Sequence, residues 1–105
     1  MDRENPLIKK LKEFKRAVSS DFPVEKMFLF GSRAGGKAGK DVDFDLLVVS
    51  KKFKNLNFIE RAARMYDYWT LEYPADFLCY TPEEFGEKSR KITIVREALR
   101  NGVAV

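Results

Sequence analysis

Two apolar runs separated by a glycine-rich loop constrain this chain more than anything else in it. Residues 28–49 read FLFGSRAGGKAGKDVDFDLLVV, with four glycines among the ten residues from Gly31 to Lys40. Such a loop does not continue a helix, because each glycine costs roughly 1 kcal/mol in a helix interior. The flanking runs, Val24 to Phe30 and Val42 to Ser50, are short and apolar, which predicts two strands joined by the loop. In the second strand Val42, Phe44, Leu46 and Val48 share one face, so Asp43 and Asp45 share the other. Residues two apart on a strand lie about 6.6 Å apart.

Helices are expected around this pair. Asn5-Pro6 suits the cap and first position of a helix whose apolar face is Leu7, Ile8, Leu11, Phe14 and Val18. Asp21-Phe22-Pro23 ends it. Asn55 is expected to cap a second helix with Leu56, Ile59, Ala63 and Tyr66 on its stripe, closed by Pro74. Ala75 to Tyr80 reads as a third strand. Thr81-Pro82-Glu83-Glu84 is a capping box that opens a helical segment, expected in two pieces around Gly86. Its later part carries Ile92, Val95 and Leu99, and Asn101-Gly102 supplies the stop. The expected fold is α/β: one domain over residues 1–105, a three-strand mixed sheet with helices packed on it. A chain of this length buries roughly 65% of its unfolded surface, enough for a core without disulfides.

Composition removes several chemistries. The chain has no histidine, which excludes His-based triads and His-ligated zinc within it. Cys79 is the single cysteine, so no internal disulfide forms. No run approaches the ~20 apolar residues of a membrane span, and the charged start MDRENPLIKK is not expected to act as a signal peptide. The cytoplasm is the expected compartment. A net charge of +4, spread evenly over both halves, favours anionic partners without choosing among them.

Asp43 and Asp45 on one strand face repel each other unless a cation lies between them. Hard oxygen donors select magnesium or manganese. Asp76, opening the third strand, converges on the same point if the two strands are neighbours. Three carboxylates can hold two metal ions roughly 3.5–4 Å apart, an arrangement suited to displacement at phosphorus. The alternative is a solvated strand edge protected by charge. In the loop, Gly31 and Ser32 can approach a phosphate closely, with Arg33, Lys37 and Lys40 adding positive charge. Gly31 to Lys37 also spells the first part of a P-loop, but Ala38 replaces the magnesium-binding Ser or Thr, and no helix has room to start there.

Gly31-Ser32, ten residues, then Asp43-Phe44-Asp45 gives G-S-x10-D-x-D. This resembles the signature of the DNA polymerase beta-like nucleotidyltransferase superfamily. The small size, the GSRAGGKAGKDVDFDLLV wording and the tail TPEEF…REALRNG resemble its minimal nucleotidyltransferase (MNT) branch, from Phe28 to Gly102. The resemblance implies that Gly31 and Ser32, with Arg33 beside them, bind the triphosphate of a nucleotide. It implies that Asp43 and Asp45 hold Mg2+ or Mn2+, and that Asp76 completes the metal site and helps activate the acceptor hydroxyl. Two positions depart from the common pattern: Gly35 stands for a second arginine, and Val42 for a serine.

Minimal members are often encoded beside a helical HEPN protein, in a pair that resembles a toxin–antitoxin system. The resemblance therefore implies transfer of AMP from ATP to a tyrosine of a HEPN partner; separately, no membrane role is expected, direct binding of nucleic acid is the less favoured reading, and an oligomer is left open. Two rivals are a non-catalytic module that masks a toxin by contact alone and a basic nucleic-acid-binding domain. Intact Asp43, Asp45 and Asp76 favour the enzyme. Elsewhere, Tyr66 is expected in the core, while Tyr68 and Trp69 lie off the helical stripe and are either a partner surface or ordinary exposed aromatics. Lys51-Lys52-Phe53-Lys54 reads as a solvated turn, and Cys79 as a small buried hydrophobe.

Overall fold

The structure is a computed structural model that describes residues 6–31, 33–34, 43–91 and 94–105. Helix α1 spans Pro6–Ser19 and buries Leu11, Phe14 and Val18, three residues on one face. Asn5, its expected cap, lies outside the described residues. Strands β1 (Lys26–Phe30) and β2 (Phe44–Val49) flank the glycine loop. They pair antiparallel, with Leu29 opposite Leu46 and Phe30 opposite Asp45.

Helix α2 corrects the expected boundaries. Lys51–Asn55 forms a 3-10 helix, with its lysines exposed and Phe53 fully buried. The α-helix runs Phe58–Tyr66 and is capped by Asn57, not Asn55. Asn57 Oδ1 accepts from the Glu60 amide at 2.8 Å, and Glu60 Oε1 accepts from the Asn57 amide at 2.9 Å. The expected stripe is also displaced. Arg61 and Met65 are the buried positions, while Ile59 is 80% and Tyr66 50% exposed. The cause is a buried guanidinium that takes the inward site. Arg61 Nε donates to the carbonyls of Phe53 and Leu56, and Nη1 to that of Cys79.

Strand β3 (Ala75–Tyr80) runs parallel to β2, with Phe44 opposite Ala75 and Val49 opposite Tyr80. The capping box forms as read: Thr81 and Glu84 bond each other's backbone amides at the start of α3 (Pro82–Ser89). This helix continues through Gly86, and its end comes at Arg90. Helix α4 (Ile94–Asn101) buries Val95 and Ala98, so Leu99, expected inward, is 41% exposed. Ile92 lies outside the described residues. Beyond Gly102 the chain adds a strand that the sequence did not announce. Strand β4 (Val103–Ala104) pairs antiparallel with β1, giving four strands in the order β3-β2-β1-β4 rather than three.

The alternation of strand side chains divides the core in two. Phe14, Met27, Phe44, Leu46, Val48, Met65, Phe77 and Cys79 pack on the face covered by α1 and α2. Phe30, Leu47, Val49, Tyr80, Phe85, Val95 and Ala98 pack on the face covered by α3 and α4. Trp69 belongs to the first cluster, meeting Phe14, Phe44 and Phe77 edge-on, so it is neither the partner surface nor the exposed aromatic expected of it. Tyr68 is tied to Asp21 through its hydroxyl. Cys79 is fully buried, and burial pushes its thiol up to about 12, which keeps it from acting as a nucleophile.

Candidate active site

The carboxylates meet at the amino-terminal ends of the two parallel strands. Asp45 is the second residue of β2 and Asp76 the second of β3, and the pairing register sets them directly opposite each other. Neighbouring strands lie about 4.8 Å apart, so the two carboxylates rise side by side from one face. Asp43 precedes β2 by one residue, on the same face by alternation, and is exposed, as is Asp76. Asp45 is half-buried. Its pKa is raised, first by burial and then by the charges of Asp76 and Asp43. Asp76 and Asp43 thus lie close enough to Asp45 for their charges to act on it, Asp76 because β2 and β3 are neighbours.

The glycine loop reaches the same point from β1. Phe30 is opposite Asp45, so the next residue, Gly31, leaves the sheet beside that carboxylate. Gly31 has φ +75°, a conformation that side chains disfavour. A Cβ added there would lie 2.3 Å from Asp45 Oδ2. Only glycine allows the backbone and the carboxylate to share this space. Ser32, and with it Gly35, Lys37, Lys40 and Val42, lies outside the described residues. Arg33 is buried, and its guanidinium lies 4.1 Å from the centre of the Phe44 ring and 4.7 Å from that of Tyr73. Those rings belong to the opposite face of the sheet from Asp45, so Arg33 holds the loop down by stacking.

Asp45 and Asp76 form one wall of an open cleft of about 310 Å³. Phe30 and Leu78 contribute apolar surface, and Ala62 and Tyr66 of α2 close the side along β3. Tyr66 is the site residue that sequence reasoning placed elsewhere. Its helical spacing put it in the core, and only the path of α2 along the edge of the sheet brings it to the cleft.

The donor chemistry fits a hard divalent cation, yet among the described residues no three acidic side chains are gathered into a ready-made cage.

The sequence profile of the nucleotidyltransferase domain matches residues 11–101. The chain belongs to that family. Among solved structures it is similar to a Sulfolobus solfataricus protein assigned as a nucleotidyltransferase, at 27% identity and a TM-score of 0.61, covering 99% of this chain and 89% of that one. BolA1 of Arabidopsis thaliana shares the fold at 17% identity and a TM-score of 0.55, over 78% of this chain and 98% of its own. No curated protein matches the sequence. Among the described residues no helix of this nucleotidyltransferase domain is long and apolar enough to cross a membrane.

Proposed function

We propose that this nucleotidyltransferase domain moves a nucleoside monophosphate, AMP from ATP, onto a hydroxyl of a protein partner. The observation that carries the reading is the register of Asp45 with Asp76, with Gly31 pressed against Asp45. A divalent ion, Mg2+ or Mn2+, bound at Asp43, Asp45 and Asp76 would neutralise the triphosphate and the charge that develops on phosphorus. The chain supplies the rest. The backbone at Gly31, with the Ser32 hydroxyl, holds the phosphate tail. Asp76 accepts the proton of the attacking hydroxyl. The new bond joins the acceptor oxygen to the α-phosphorus, and the bond to pyrophosphate breaks, with its electron pair leaving on pyrophosphate. Arg33 keeps the loop seated from the other face of the sheet.

The acceptor class follows the resemblance to minimal nucleotidyltransferases: a tyrosine of a HEPN-type helical protein, which the modification would silence. An open cleft of about 310 Å³ beside the carboxylates supports a phenol-sized acceptor delivered by another molecule. The test is incubation with labelled ATP, Mg2+ and a HEPN partner, followed by mass spectrometry. The expected result is one added AMP on a partner tyrosine, absent with chelator and absent in Asp45→Asn. Tight binding and silencing of the partner without any mass change would replace this reading with the non-catalytic one.

A further inference from the structure

We propose that Tyr66 is the positioning residue for Asp76, an inference that rests on the role given to Asp76 above. Strand β3 is the edge of the sheet, and Asp76 sits only one residue inside its start. A strand end with one neighbour is the place where a sheet frays first. Backbone groups alternate in direction along a strand. The Pro74 carbonyl accepts from the Phe44 amide and so points toward β2. The next carbonyl, that of Ala75, therefore points away from the sheet, where no strand can bond it. Tyr66 meets this orphan: its hydroxyl donates to the Ala75 carbonyl. Its ring stands edge-on to Phe77, with centroids 5.0 Å apart.

One side chain from α2 thus grips the residues immediately before and after Asp76. It does so from outside the sheet, while the ladder to β2 holds the same strand from inside. Asp76 is exposed, so its direction depends chiefly on the backbone beneath it. A displacement near 1 Å at a catalytic group can cost about a hundredfold in rate. Tyr66 also lines the cleft with Asp45 and Asp76, so its hold is applied at the site itself.

The experiment compares the wild-type chain with Tyr66→Phe, which keeps the ring and removes the hydroxyl. Hydrogen exchange at the Asp76 amide, turned toward β2 by the same alternation, is expected to quicken severalfold in the variant. Mn2+ is expected to bind more weakly in the presence of ATP. The turnover rate at saturating ATP should fall roughly tenfold with the KM for ATP unchanged, since the phosphate-holding residues are untouched. Faster Asp76 exchange with unaltered turnover, or unaltered exchange and Mn2+ affinity, overturns the proposal. If the wild-type chain transfers nothing to any acceptor, the functional reading fails by itself, and exchange and Mn2+ titration still decide what Tyr66 does. Tyr66→Leu, which removes the hydroxyl and the ring edge, should exceed Tyr66→Phe in every readout if it folds.

Discussion

The two ends of the β2–β3 pair treat charge in opposite ways. At the carboxyl-terminal end a buried cation is fully provided for. Arg61 donates to three backbone carbonyls and forms a two-armed ion pair with Glu84, 2.7 Å at its shorter contact. The Arg61 guanidinium, followed by the amide and hydroxyl of Thr81, holds the Glu84 carboxyl below its ordinary range. At the amino-terminal end Asp45 stands beside Asp76 and Asp43, and its pKa moves up, first by burial and then by those two charges. One end is built for stability. The other keeps like charges together at a cost to the free protein, as expected where a charged ligand is to be received.

The contrast is broken most severely by Arg61→Met. Three carbonyls, two of them in buried bonds, lose the Arg61 donor and Glu84 its partner, so a loss of about 3 kcal/mol or more is expected in chemical denaturation. A variant within experimental error of the wild type would show that the two ends do not differ as described. Gly31→Ala comes next. The added methyl meets the Asp45 carboxylate in a left-handed backbone, with an expected cost of about 2 kcal/mol and loss of metal-dependent ATP binding, measured by melting and calorimetry.

Arg33→Lys keeps the charge but loses the guanidinium's contact with the Phe44 and Tyr73 rings, for about 1 kcal/mol in the same denaturation assay. Its effect on transfer should exceed that of any surface lysine, because the loop it anchors begins at Gly31.

The smallest effects are the most diagnostic, because their signs oppose each other. Glu84 has a lowered pKa, so its contribution is present above the unfolded value and is lost as pH falls through the folded one. Glu84→Gln should therefore lower the melting temperature at neutral pH, with the difference closing in acid. Asp45 has a raised pKa, so its penalty is fully present above the folded value and gone below the unfolded one. Asp45→Asn should leave the melting temperature at pH 7 unchanged or slightly higher, with that gain vanishing in acid. A melting curve for Asp45→Asn below the wild type at pH 7 would make this aspartate a structural group.

Much of the candidate site was legible in the sequence. A spacing of two placed Asp43 and Asp45 on one face whatever the rest of the chain did, and a glycine loop after an apolar run could leave the first strand at one end only. The capping box at Thr81 and Glu84 was equally local, and it formed. The misplaced features were those that depend on what lies across a gap in sequence. Helix α2 read as presenting Ile59 and Tyr66 inward, but carbonyls of Phe53 and Cys79, eight and eighteen residues away, drew Arg61 into that position. Trp69 read as surface because its helical phase was wrong once α2 ended at Tyr66.

What the sequence determined by itself is the chemistry: no imidazole, one thiol, a glycine loop and two carboxylates on one strand face. These follow from composition and from the fixed period of a strand. What only the tertiary structure decided is the company those groups keep. Parallel pairing put Asp76 opposite Asp45, the β1–β2 register put Gly31 against a carboxylate, and the route of α2 along the sheet edge put Tyr66 over the start of β3. Each depends on which strands become neighbours. Pairing between distant segments is fixed by burial of both faces of the sheet at once, a property of the whole core that no local window of sequence contains.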